Sequence, residues 1–137
     1  MALRRRKRDQ RGAAAVEFAL IAPIFLLVLF GIMDFGYMIN RSSIINNAAR
    51  DAAREASLGG DQAAVEAAAN LTLTGVPGAT VSTSCVTLTG AACTVGSAVT
   101  GDKVTVKVTY VHEFITPVSM FFSNGVNLSR QATMRVE

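Results

Sequence analysis

The chain is poor in the side chains that metal binding and covalent catalysis require. Its 137 residues include one histidine, His112, and two cysteines, Cys85 and Cys93. A C-x7-C pair with a single histidine does not have zinc spacing, so no metal is expected. There is no serine in a nucleophile elbow, no phosphate-cradling glycine loop, and no carboxylate pair in a recognisable catalytic motif. These absences argue against an enzyme and give no reason to expect a cofactor or a small-molecule substrate. Charge is also scarce, at 17% of residues, and unevenly placed. The net charge of +3 divides into +5 over residues 1–12 and −2 over the remainder. Nucleic-acid binding calls for a basic patch on a folded domain, and here the surplus lies in the first dozen residues, so no nucleic-acid partner is expected.

What the chain does have is one long apolar run. From residue 13 to residue 33 the only charged residue is Glu17. As a helix these residues span about 31 Å at roughly 1.5 Å per residue, close to the ~30 Å of a bilayer's hydrocarbon core. A helix satisfies its own backbone, which lipid demands. The basic block ahead of it (Arg4, Arg5, Arg6, Lys7, Arg8 and Arg11) sets the topology: N-terminus in the cytoplasm, everything after Asp34 outside. The same block adds attraction to anionic membrane lipid of about 1 kcal/mol per basic residue near the surface. A cleaved secretory signal is the alternative, but the run exceeds an h-region of roughly 7–15 residues and no small-x-small site follows it before Asp34. A soluble core helix is disfavoured because so small a remainder cannot wrap an apolar rod on every side.

Glu17 stands out in that run. A carboxylate at the centre of a membrane helix costs about 2.5–3.5 kcal/mol, and less one turn inside the boundary. Two readings stay open. The side chain can snorkel to the headgroups, or a partner charge can neutralise it. A cut after Gly12 would create an α-amino group with a reference pKa of about 8. It would lie four residues away, on the same chain or on a neighbour packed one step along. An ion pair held in lipid would favour assembly over the lone subunit.

The string Gly12-Ala13-Ala14-Ala15-Val16-Glu17-Phe18, behind a short basic leader and before an apolar helix, resembles type IV prepilins. The longer string RGAAAVEFALIAPIFLLVLFGIMDFG is similar to TadE-like proteins, minor pilins or pseudopilins of the tight-adherence (Tad/Flp) pilus. The strong resemblance covers roughly residues 8–50. A weaker one lies at the end, in a strand, an F-x-x-P turn (Phe114, Pro117) and a closing strand through Arg135. The resemblance implies cleavage between Gly12 and Ala13 by a membrane-embedded aspartic prepilin peptidase. It makes Glu17 the assembly acid at the fifth mature position and Phe18 part of the recognition motif. The partners it implies are the peptidase, other pilins or pseudopilins and the Tad secretion machinery. The location it implies is the bacterial inner membrane, with the cell surface or pilus after assembly. The role is then pilus assembly and surface adherence, and an uncleaved single-pass envelope protein with a partner-binding outer domain is the alternative.

Beyond the run, helical spacing continues through residues 34–58, with Met38, Ile45, Ala48, Ala49, Ala52 and Ala56 on one face. Arg41, Arg50, Asp51, Arg54 and Glu55 read as solvated faces. Gly59-Gly60 stops the helix. Pro23 predicts a bend, or a loosening that helps the subunit leave the bilayer. Asp61 caps a second helix expected over residues 62–69. Strands are expected over 79–88, over 103–111 with Val104, Val106, Val108 and Tyr110 on one face, and near the C-terminus. In the last, Val126, Leu128, Ala132, Met134 and Val136 alternate with polar residues. Met120, Phe121 and Phe122 are expected to close the core, or else to contact another pilin. Cys85 and Cys93 flank a Thr/Gly-rich turn in an oxidising compartment, which reads as a hairpin disulfide. His112 reads as a surface or strand-edge residue.

The expected division is a basic leader (1–12), a transmembrane helix (13–33), its extramembrane continuation (34–58) and an outer head domain (59–137). The fold class is α+β and pilin-like: a long N-terminal helix packed on a small antiparallel sheet of three or four strands.

Overall fold

The computed structural model describes residues 10–120 and 125–137. Its first element, α1 (Gln10–Ser57), is one unbroken helix of 48 residues, about 72 Å long at 1.5 Å per residue. Pro23 lies within it, where a missing N–H leaves the Ala19 carbonyl without its helical donor. The helix stops where the double glycine predicts. Gly59 takes φ +85°, the Gly60 N–H reaches back to the Glu55 carbonyl, and the Gly59 N–H to that of Ala56. Those two bonds make a Schellman ending, which needs a left-handed residue at Gly59.

A second helix, α2 (Gln62–Thr72), opens on Asp61, whose carboxylate accepts the Ala64 N–H at 2.8 Å. It runs past the expected end at residue 69 and tightens into a 3-10 turn, Leu73–Gly75. Nothing in Asn70-Leu71-Thr72 breaks a helix, so it continues until Gly75. Val65 and Ala69 are buried. Thr72 donates its hydroxyl to Asp51 at 2.7 Å. Asp51 therefore ties α2 to α1, beyond the purely solvated role its charge pattern suggests.

The sheet comprises β1 (Thr80–Val86), the short β2 (Ala92–Cys93), β3 (Lys103–His112) and β4 (Val126–Arg135). Its order is β2-β1-β3-β4 and every pairing is antiparallel. The fold is thus α+β, a long apolar helix on a four-stranded sheet. Strand alternation in β3 sends Val104, Val106 and Val108 inward, and all three are fully buried. They meet Ile45, Ala48, Ala49, Ala52, Ala53 and Ala56 of α1 in one core. Alanines let the helix backbone come close to the strands, where a larger side chain would overpack. In β4, Leu128, Ala132 and Met134 pack against this core. Arg130 has the same parity as these three and is nevertheless exposed. The other face carries cross-strand threonine pairs, Thr80 with Thr109 and Thr105 with Thr133, a polar pairing suited to a wet surface.

Candidate functional site

Three places along the molecule carry its chemistry, and α1 connects two of them. The first is the bare half of α1. Gly12–Ser57 is long and apolar enough to cross a membrane, and in its first half Phe18, Ile24, Phe25, Leu26, Leu27 and their neighbours are exposed. Gly12, Ala13, Glu17 and Phe18 all lie in the opening turns of this helix and are exposed. Among the described residues, nothing beyond the helix's own backbone comes within 4 Å of where a Gly12 side chain would begin. Glu17 is one helical turn beyond Ala13, so both share a face. Of the basic block, Arg4, Arg5, Arg6, Lys7 and Arg8 lie outside the described residues. Arg11 belongs to α1 by its backbone only.

The second place is where the bare half meets the head domain. Asp34 is the first charged residue after the apolar run, and it is buried. Its carboxylate accepts the Ile115 N–H at 3.0 Å and the Thr116 hydroxyl. Two donors from one turn thus satisfy an acid that would otherwise be costly to bury. Counting along the helix, Asp34, Tyr37, Arg41, Ile45, Ala48 and Ala52 fall at three- and four-residue intervals. Asp34 is therefore the first residue of the face that packs on the sheet. Arg41 sits over the Tyr37 ring, 4.5 Å from its centroid, and donates to the Tyr37 hydroxyl.

His112 overturns the surface or strand-edge expectation. It is fully buried, between the rings of Tyr37 at 5.7 Å, Phe114 at 5.8 Å and Tyr110 at 6.4 Å. Neither ring nitrogen has a hydrogen-bond partner among the described residues. β3 runs one residue further than expected, so His112 continues the inward parity of Val104, Val106, Val108 and Tyr110. That parity was the signal available in the sequence. β4 pairs Val126 with His112, and Gly125 just before it takes φ +62° with the His112 carbonyl oxygen 2.7 Å from where a Cβ would stand. Only glycine permits that approach.

A 3-10 turn, Pro117–Met120, follows the Asp34 contact. Met120 is 84% exposed and Ile115 68%. Met120 therefore does not close the core, which was the first of the two expectations for it. It sits at the outer edge of a short turn whose inward position is taken by Thr116. Phe121 and Phe122, expected to close the core with it, lie outside the described residues.

The third place is the opposite end of the sheet. Cys85 and Cys93 pair across the β1–β2 hairpin and are joined by a disulfide, their Cα atoms 4.9 Å apart. Next to it the buried Asp102 accepts the Leu88 N–H at 3.2 Å and the Val99 N–H at 3.0 Å. Asp102 and the two sulfurs lie close together. The bond between the cysteines nevertheless uses the thiolates a metal would need. The structure therefore does not gather the sequence-derived residues into one site: Glu17 and Phe18 stand at the far end of α1, and the cysteines brace the tip of the sheet. Asp34 and the buried side of His112 were not among them.

Comparison with known proteins fits this division. A family model described as TadE-like protein matches residues 12–54, which run from the start of the bare half to near the end of the packed half. Over those residues the chain is similar to TadE-like proteins, and the similarity points to the Tad pilus system. Together with the long apolar helix it suggests a membrane-anchored protein. Neither the curated proteins nor the solved structures contain a match to the chain.

Proposed function

We propose that the protein is a minor pilin or pseudopilin of a Tad/Flp-type pilus, held in the bacterial inner membrane by the first half of α1. One observation carries this reading. The TadE-like match begins at Gly12, the residue before the proposed cut, and covers both the bare apolar half of α1 and most of the half packed on the head. The basic leader of residues 1–12 stays in the cytoplasm, residues 13–33 span the bilayer, residues 34–58 continue the stalk, and residues 59–137 form the outer head. A prepilin peptidase cuts between Gly12 and Ala13. The new α-amino group then neutralises Glu17 on its own chain or on a neighbour, and the helices pack with Phe18 at their contact. Pilins, pseudopilins and the Tad secretion machinery are the partners, and adherence is the outcome. An outer location suits the disulfide, which persists in oxidising compartments.

The alternative is an uncut, single-pass envelope anchor with a partner-binding outer domain, which would keep the residues ahead of Gly12 on α1. N-terminal sequencing and intact mass separate the two, on protein extracted from membranes of cells with and without a prepilin peptidase. A chain starting at Ala13 only when the peptidase is present supports the pilin reading, and Glu17→Ala should then abolish assembly while leaving the cut intact. A chain that keeps its leader in both cells makes the protein an anchor.

A further inference from the structure

We infer that the turn carrying Ile115 and Met120 is a second membrane contact, a foot that rests in the headgroup and upper acyl region of the outer leaflet. The inference requires only that α1 cross the bilayer, and it holds for a cut or an uncut chain. Its basis is depth. A hydrocarbon core of about 30 Å takes about 20 helical residues, and the apolar run of residues 13–33 supplies 21. Asp34, the next residue, thus falls at the hydrocarbon edge. The Ile115 N–H and the Thr116 hydroxyl both donate to the Asp34 carboxylate, so the backbone of this turn is pinned at the same depth.

The turn's large exposed side chains are apolar: Ile115 at 68% and Met120 at 84% exposure, with Phe35 of α1 exposed next to Asp34 in the chain. Apolar side chains held at this level lose water contact by entering the upper acyl region. Asp34 and Thr116 face inward and satisfy each other, which leaves the lipid-facing side of the turn with few polar demands. Between residues 113 and 120 the one ionisable side chain is Glu113, and no lysine or arginine is present. The contact is therefore apolar and does not depend on anionic lipid. The foot would hold the head domain at a set height and tilt over the membrane.

The chain has no tryptophan, so a single introduced indole reports its own surroundings. The full-length protein is placed in phosphatidylcholine vesicles brominated either near the headgroup end of the acyl chains or near their tips. Four variants are compared: Met120→Trp, Ile115→Trp, Leu26→Trp in the membrane half of α1, and Leu88→Trp at the far end of the sheet. Disulfide formation and helix content verify that each has folded. Met120→Trp and Ile115→Trp should emit at shorter wavelength than Leu88→Trp and be quenched most by the shallow bromines. Leu26→Trp should be quenched most by the deep ones. Adding anionic lipid should change none of this.

If Leu26→Trp is quenched while both foot variants behave like Leu88→Trp, the foot is overturned and the membrane helix stands. Should Leu26→Trp escape quenching as well, α1 does not cross the bilayer and the premise fails with the inference. A blue shift at Met120→Trp that resists bromine and grows with the protein-to-lipid ratio would show a second copy covering the patch, which also overturns the lipid assignment.

Discussion

The two halves of α1 share a backbone and a period, yet they solve opposite problems. In residues 13–33 the helix carries phenylalanine, leucine and isoleucine on every side, and almost all of them are exposed. In the half that ends at Ser57, the buried apolar positions are Ile45 and then alanines at 48, 49, 52, 53 and 56. A helix in lipid gains from apolar area all round, because lipid accepts any shape and repels only polarity. A helix on a sheet gains from closeness, because strands are rigid and accept one shape. Large residues therefore mark the half that we assign to lipid, and small ones the half that packs on protein. Hydropathy alone would grade both simply as apolar.

The largest expected effect breaks the first half and spares the second. Arginines at both Leu26 and Leu27 cost about 5–7 kcal/mol of insertion, twice the roughly 2.5–3.5 kcal/mol of one charge at the helix centre. The doubly substituted chain should leave the membrane fraction on alkaline carbonate extraction. Purified and refolded in an oxidising buffer, its head should still form the Cys85–Cys93 bond, since no core residue has changed. Loss of the disulfide as well would mean that the head depends on the membrane to fold.

The next changes test the head on which the second half packs, and then that half itself. Replacing Cys85 and Cys93 together with serine removes a bond that closes a loop of eight residues' separation, worth about 2–3 kcal/mol in the chain-entropy account. The guanidinium midpoint of the detergent-held head should fall accordingly, with insertion unchanged. Ala52→Leu should cost about 1–3 kcal/mol, because three extra carbons must fit between α1 and the sheet. Ala14→Leu adds the same atoms to an exposed position of the same helix, and it should leave the midpoint unmoved. Equal effects at Ala14 and Ala52 would erase the distinction between the halves.

Much of this was legible from spacing alone, and what escaped did so for physical reasons. The stop at Gly59-Gly60, the Asp61 cap and the inward valines of β3 follow from local rules, and each appears in the structure. Helix α2 overran its expected end because propensity does not mark where a helix merges into a 3-10 turn. Asp34 was used only as the edge of the apolar run, since a lone acid after such a run is ordinarily solvated. Its two donors lie 81 and 82 residues away, and no local pattern announces a contact that distant. His112 escaped because its residue type suggested surface while its parity indicated core. Met120 went the other way: residue type favoured the first of its two readings, burial, and the side chain lies outside.

Asp34, where the two halves meet, gives the smallest and most local test. Asp34→Asn keeps one acceptor oxygen and replaces the other with an amide donor, so the Thr116 hydroxyl must reverse to accept, and the contact with the turn is weakened and not removed. Even a whole net hydrogen bond contributes only about 0.5–1.5 kcal/mol, too little to unfold the head. The effect should be a local opening, since stability is not uniform across a structure. Amide exchange at Ile115, whose N–H now reaches Asp34 at 3.0 Å, should quicken. Exchange at Ala48, Ala52 and Val106, fully buried in the shared core, should hold its rate. If exchange quickened throughout the core instead, Asp34 would be a support of the whole head. In that case the boundary between the lipid-facing and sheet-facing halves of α1 would not be the local joint that its two hydrogen bonds describe.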